Sequence, residues 1–123
     1  MPPTWHIYHI EKVSRTKPKP KDKFVAIVCR DSKPRGFFIN TDIHSYIQNR
    51  PHLLACQVLI KASYYRFLNY DSYINCSQLC KFKDSDLTGK KWAINKQTKA
   101  EIQRVVSNAK TIGPHYRELV LGN

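Results

Sequence analysis

Apolar residues occur in short runs along the chain, and residues 24–29 form an unbroken one. This segment, FVAIVC, is rich in β-branched residues, and a second apolar run at residues 36–40 follows a polar segment that contains a proline. The pattern predicts two antiparallel strands joined by a short cationic connection. Because the first strand is apolar at successive positions, we expect it to be covered on both faces and to lie centrally in a sheet.

Three further segments have strand-like patterns. Residues 4–13 carry aromatic and apolar side chains on both faces and predict a first strand. After a less regular region at 42–50, residues 52–62 predict a third strong strand. Residues 71–82 predict another strand. Since neither of its faces is purely apolar, we expect one end to reach a surface where polar side chains act, at Asn75, Ser77 and Gln78.

The last third of the sequence changes to helical spacing. One narrow apolar stripe predicts an amphipathic helix that packs on the sheet, formed by Ile102, Val105, Val106 and Ala109. Thr98 with Glu101 forms a capping-box pattern for its start, and Asn95 is the alternative N-cap. Gly113-Pro114 is expected to end the helix. Residues 117–121 predict either a last short strand or an interface segment.

These elements predict one domain over residues 1–123, with a barrel at about 4–82 and a C-terminal helix at about 96–111. A chain of 123 residues with 41% hydrophobic content is large enough for one core. Short strands followed by one helix are typical of a mainly β (α+β) fold, a small β-barrel of SH3-like or OB-like kind. Composition does not choose between those two barrels.

The charge of the sequence indicates a class of partner, because there are 21 Lys and Arg against 9 Asp and Glu, for a net charge of +12. The basic residues are distributed along the whole sequence, so the charge belongs to the folded body. A polyanionic partner such as RNA explains this excess, and a merely soluble basic surface is the alternative. No apolar run approaches the roughly 20 residues of a spanning helix. The start of the sequence has no signal-peptide core. We therefore expect a cytoplasmic protein without a membrane partner.

A lysine-proline alternation at residues 14–23, SRTKPKPKDK, precedes the central strand. Proline removes backbone donors and favours extended chain, so this segment is either a solvated connector or an exposed arm that grips phosphates. Residues 64–70 interleave aromatic and cationic side chains, which either stack on bases or form the rim of the core. The candidate nucleic-acid-binding residues are Lys17, Lys19, Lys21, Arg30, Arg35, Tyr65 and Arg66.

The four cysteines lie in or beside apolar runs, as small buried hydrophobes do, at Cys29, Cys56, Cys76 and Cys80. A cytoplasmic location disfavours disulfides among them. On one strand, Cys76 and Cys80 would stand about 13 Å apart, too far to share a zinc ion. We expect neither a metal site nor a cofactor.

The order of KFVAIVC, GFFINT, LLACQVLI, YDSYINCSQLCKF and a terminal amphipathic helix resembles the PemK/MazF-like toxins. The resemblance implies an SH3-like barrel, usually a homodimer, that cleaves single-stranded RNA without a metal. It also implies an antitoxin protein whose peptide lies across the active groove.

The same resemblance implies three site residues. Lys23 stands at the head of the central strand, where the family places an arginine. Thr41 matches the family's Thr or Ser near the end of the next strand, and Ser77 matches the centre of the polar strand before the helix. The family's Gly-Asp in the opening strand is replaced here by residues 5–7, WHI.

Metal-free RNA cleavage requires the 2′-hydroxyl to attack its own phosphate, so the protein must take one proton, return another and stabilise the phosphorane charge. Lys23 or Arg30 supplies the charge in this hypothesis, and Thr41 or Ser77 bonds a phosphate oxygen. His9 is the candidate base, with a packing role as its alternative. The competing hypothesis is a barrel that binds nucleic acid or a protein partner and performs no reaction.

Overall fold

The computed structural model describes residues 1–13 and 21–122, and a seven-stranded antiparallel sheet forms its centre. The strands are β1 (His6–Val13), β2 (Lys21–Arg30), β3 (Pro34–Asn40), β4 (Gln57–Ile60), β5 (Ser72–Asn75), β6 (Cys80–Lys81) and β7 (Lys91–Ala93). Their order is β4-β5-β3-β2-β1-β7, and β6 also pairs with β3. The sheet curls into a half-barrel, so the predicted mainly β fold with a C-terminal helix is confirmed.

Within the described residues, four α-helices and one 3-10 helix accompany the sheet. They are α1 (Ser45–Gln48), α2 (Pro51–Leu54), α3 (Lys96–Ser107), α4 (Pro114–Leu121) and the 3-10 helix Asp84–Leu87. Every helix in the described part of the chain is too short or too polar to cross a bilayer.

β2 is the central strand that the sequence predicted. It lies between β1 and β3, and every residue from position 25 to 29 is fully buried. Its side chains alternate between two cores: Ala26 and Val28 join the larger core with α3, whereas Val25 and Ile27 join a smaller core. Because each fully buried Val or Ile contributes about 1.5–3 kcal/mol, this one strand stabilises both layers.

Gly36 allows β3 to lie very close to β2 where the two strands pair. A Cβ atom at this position would lie 2.2 Å from the Ala26 carbonyl oxygen, which is far inside van der Waals contact. Glycine is therefore required by the approach of the two backbones.

α3 begins where the alternative cap predicted it. The Asn95 side chain accepts a hydrogen bond from the Thr98 backbone N–H at 2.8 Å, so Asn95 is the N-cap and the Thr98–Glu101 capping box is wrong. The apolar stripe packs on the sheet as predicted, because Ile102 and Val106 are fully buried in the larger core.

Two predicted strands are shorter than expected. Of residues 52–62, only Gln57–Ile60 forms a strand, since Pro51 occupies the first turn of α2, a position that favours proline. The predicted strand 71–82 is broken after β5. There the Asn75 side chain accepts hydrogen bonds from both the backbone N–H and the hydroxyl of Ser77, which builds a turn in place of the ladder.

The C-terminal segment also differs from the prediction. α3 ends at Ser107 with Asn108 as its C-cap, and Gly113-Pro114 starts α4 instead of stopping α3. Residues 117–121 are therefore helical, and Val120 is fully buried. β7 was not predicted, and its pairing with β1 extends the sheet beyond the expected barrel boundary.

All four cysteines are buried and unbridged, as predicted. Burial raises the pKa of the Cys29 thiol to about 11 and holds the pKa of Cys76 well above its ordinary value. The turn after β5 means that the strand spacing assumed for Cys76 and Cys80 is wrong. Within residues 1–13 and 21–122, no three His, Cys, Asp or Glu side chains gather as metal ligands.

Candidate functional site

Strand pairing brings three of the predicted site residues to one end of the sheet. His9 of β1 pairs with Phe24 of β2, and Phe24 pairs with Ile39 of β3. The start of β2 and the end of β3 therefore meet here. His9, Lys23 and Thr41 come from three separate segments and are neighbours only because of this pairing.

A cleft of about 270 Å³ opens at this end of the sheet, beside the start of β5. Its aromatic floor is packed: the Phe67 ring stacks on Trp92 with centroids 4.0 Å apart, and Phe24 lies 5.0 Å from Phe67. Tyr70, 70% exposed, forms part of the wall. The lining residues are Phe24, Ile39, Thr41, Phe67, Leu68, Asn69, Tyr70 and Ser72.

His9 lies against the same aromatic cluster, and its ring centroid is 5.3 Å from that of Phe24. Its Nε2 atom is 3.6 Å from an Asp22 carboxylate oxygen, a distance too long for a hydrogen bond and short enough for an ion pair with an imidazolium. The His9 side chain is 32% exposed. It therefore combines access to solvent with an adjacent carboxylate.

Lys23 lies on the opposite face of the sheet from His9. It pairs with Ile10, and neighbouring residues of a strand point to opposite faces. Its Nζ donates a hydrogen bond to Asn40 Oδ1 at 2.5 Å. Thr41 lines the cleft together with Phe24, which lies on the same face of the sheet as His9. The end of the sheet thus carries a cation on one face and the cleft with His9 on the other.

Ser77 is not part of this group. It lies beyond the end of β5 that points away from Thr41, and it is 9% exposed. Its hydroxyl donates to Asn75 Oδ1 at 2.5 Å, and its carbonyl accepts from the Thr111 hydroxyl. We expected Ser77 on an unbroken strand at residues 71–82. The turn at Asn75 and Ser77 ends that strand, so Ser77 lies elsewhere.

Three of the seven predicted nucleic-acid-binding residues are engaged elsewhere. Arg30 and Arg35 lie at the other end of β2 and β3, where Arg30 forms an ion pair with Asp84 at 2.5 Å and Arg35 with Asp31 at 3.2 Å. Tyr65 is 5% exposed. Its ring therefore belongs to the rim of the core, and base stacking on it is excluded by its burial.

Of the remaining candidate nucleic-acid-binding residues, the structure fully describes only Arg66. Arg66 is exposed in the segment that leads to the cleft. Lys17 and Lys19 lie outside the described residues, as does most of the predicted lysine-proline arm. Lys21 is the first residue of β2, and only its backbone is described.

Two residues of the site were not expected from the sequence, and two others belong to the segment 64–70 that was a candidate for base stacking. Asp22 beside His9 and Asn40 beside Lys23 are contacts across strands, and Phe67 and Tyr70 reach the cleft from a loop. The aromatic residues of 64–70 were a signal, but the spacing alone did not separate the buried Tyr65 from its neighbours.

A second basic region lies at the far end of the sheet. There a cavity of about 630 Å³ is lined by Lys33, Lys81, Phe82, Lys83, Asp84, Ser85 and Asp86. Arg30 hydrogen-bonds to the Asp84 carboxylate and lowers the pKa of that group. Two carboxylates among the lysines make this cavity a weaker anion site than its lysine content alone implies.

Comparison with known proteins matched the chain to no family model and to no curated protein.

Proposed function

We propose that this protein is a toxin-like, metal-independent endoribonuclease that binds single-stranded RNA at the end of the sheet where β2 begins. The observation that carries the proposal is the convergence there of His9, Lys23 and Thr41 from three segments. The aromatic cleft that Thr41 lines suits a nucleobase, since base stacking on aromatic rings tolerates any sequence.

The charge of the chain supports the same ligand. A net charge of +12 attracts a polyanion and promotes its association through release of counterions. Lys23 contacts phosphate in this proposal, and the exposed hydroxyl of Thr41 donates to a phosphate oxygen.

The chemistry assigns one role to each group. His9 takes the proton of the 2′-hydroxyl, whose oxygen attacks the adjacent phosphorus while the bond to the 5′-oxygen breaks. His9 then returns the proton to the 5′-oxygen. The products are a 2′,3′-cyclic phosphate and a 5′-hydroxyl. Lys23 stabilises the charge on the phosphorane. The Asp22 carboxylate lies beside the imidazole, 3.6 Å from its Nε2 atom.

The second candidate function is a barrel that binds nucleic acid or a protein partner without a reaction. One observation favours it: Lys23 lies on the opposite face from His9 and Thr41. A catalytic site would need the RNA to pass around the end of the sheet. A homodimer and an inhibiting antitoxin belong to the toxin-like proposal through the resemblance alone.

The test is incubation of the purified protein with mixed-sequence single-stranded RNA in the presence of EDTA. We expect discrete fragments with 2′,3′-cyclic phosphate ends from the wild type and none from His9→Ala. His52→Ala is the matched control, because His52 is exposed on α2 away from the cleft. Intact RNA that is nevertheless retained, with affinity falling as salt rises, would support the binding function instead.

A further inference from the structure

In the part of the chain that the structure describes, one face of β3, β5 and β4 is partly exposed, and we call it the outer face. Its residues alternate with those of the core: Ile39, Ile74 and Val58 point inward and are buried with α3. The intervening side chains are partly exposed, and they define the outer face: Phe38, Asn40, Gln57, Leu59, Tyr73 and Asn75.

The outer face is open because its cover ends at β3. Over β1 and β2 the same side of the sheet is closed by the smaller core, to which Phe82 and Leu87 contribute. The cover stops where Phe82 meets Phe38, with centroids 5.5 Å apart. β5 and β4 lie beyond that contact, and Leu59 on β4 is 49% exposed.

Three of the six outer-face residues are amides, and neighbouring side chains hold them. Gln57 Nε2 donates to Asn75 Oδ1 at 2.9 Å, and Asn40 Oδ1 accepts from Lys23. Gln57 Nε2 also donates to the Leu53 carbonyl oxygen at 3.2 Å, so Gln57 offers a base its Oε1 acceptor and Asn40 offers its N–H donors. Base edges carry the complementary donors and acceptors.

The charge around the outer face suits a polyanion. None of its six residues is acidic, Lys23 stands at its border, and the chain as a whole carries +12. A subunit interface fits less well, because the buried core of such an interface is mostly apolar, whereas half of these residues are amides.

We propose that the outer face is a platform for the bases of single-stranded RNA. Tyr73 stacks on one base, and Asn40 and Gln57 hydrogen-bond to base edges, while Lys23 binds the phosphate that leads toward the cleft. The proposal rests on the proposed function for the identity of its ligand, RNA, and is independent of cleavage.

The experiment compares two fluorescent ligands that differ only in their bases. One is a 2′-O-methyl RNA, which cannot be cleaved, and the other is an abasic strand of the same length and charge. We expect Tyr73→Leu to weaken RNA binding about tenfold and to leave abasic-strand binding unchanged. Tyr64→Leu is the matched control, since Tyr64 is 71% exposed in a loop outside this face, and it should change neither affinity.

A second variant keeps the test decisive if Tyr73→Leu fails to fold. Gln57→Leu removes one amide from a partly exposed position, and we expect it to alter the ranking of affinities among U, C, A and G homopolymers without affecting the abasic strand.

Several results would contradict the proposal that the outer face binds the bases of RNA. Unchanged RNA affinity in folded Tyr73→Leu, or an equal loss for RNA and the abasic strand, contradicts a contact with bases. A dimer that Tyr73→Leu dissociates in sedimentation velocity, with RNA affinity retained, would make the face a subunit interface. RNA that stays intact with the wild type while the Tyr73 effect persists refutes only the cleavage. No binding by the wild type refutes both.

Discussion

The Tyr65 hydroxyl donates a hydrogen bond to Thr98 Oγ1 at 2.8 Å and accepts one from the Asn95 backbone N–H at 3.2 Å. Tyr65 follows the edge strand β4, and Thr98 belongs to the first turn of α3, which follows the other edge strand, β7. The two ends of the curled sheet are therefore joined through one side chain, although these residues are 33 positions apart in sequence.

Removal of the Tyr65 hydroxyl should weaken the connection between the two ends of the sheet. We expect Tyr65→Phe to lower the free energy of unfolding by about 1 kcal/mol, because one hydrogen bond is lost and the Asn95 N–H loses its acceptor. Urea unfolding followed by circular dichroism measures this. Tyr64→Phe is the control, since that side chain is 71% exposed, and an equal loss in both variants would contradict the closing role of Tyr65.

Gly36→Ala should destabilise the sheet strongly. The added methyl group would meet the Ala26 carbonyl oxygen, so the two central strands must separate, at a cost of about 3 kcal/mol or more. Gly113→Ala has no atom within 4 Å of the new Cβ, and we expect it to cost less than about 1 kcal/mol at a helix N-cap. Thermal unfolding of both variants checks the order, which a milder effect at position 36 would refute.

The Arg30–Asp84 ion pair should make stability depend on acid pH. Because the hydrogen bond from Arg30 lowers the pKa of Asp84 in the folded state, the unfolded chain binds the proton more readily. The pair therefore stabilises the protein above the unfolded pKa, near 3.8, and this contribution disappears as the pH falls through the folded pKa.

The measurement is the urea midpoint at pH 7 and at pH 2.5 for the wild type and for Asp84→Asn. We expect the wild type to lose more stability between the two pH values than the variant does. The carboxylates of Asp31 and Glu101, whose pKa values are also lowered, titrate in both proteins and cancel in the comparison. Equal losses would mean that the ion pair contributes nothing.

Lys23→Ala should weaken RNA binding in a salt-dependent manner. Loss of one phosphate contact is expected to reduce the slope of log affinity against log salt by about one. Lys110→Ala removes the same charge from an exposed position near the end of α3, and it should change the slope little. Identical slopes for the two variants would indicate that RNA contacts the chain through diffuse charge.

The elements with a strong local pattern of apolar residues could be predicted from the sequence. The apolar run of β2 requires burial on both faces, and the 3.6-residue spacing of Ile102, Val105 and Val106 requires a helix with one buried side. Both patterns depend only on residues that are close together in the sequence and on the free energy of removing apolar surface from water.

The shorter elements depended on competition between weak local preferences. Pro51 starts a helix within a predicted strand, Asn75 turns the chain after four residues of β5, and Gly113-Pro114 begins a helix where an ending was expected. Each outcome is decided by a few hydrogen bonds and by how the segment packs, which the apolar pattern does not contain.

For the candidate site, the sequence by itself determined that His9 lies on a strand, where side chains alternate in direction, and that Lys23 and Thr41 lie near strand ends. Only the tertiary structure decided which face each occupies. The register pairs His9 with Phe24 and Lys23 with Ile10, and a shift by one residue would exchange the two faces. Register is set by the packing of all the strands together, so no single segment of the sequence encodes it.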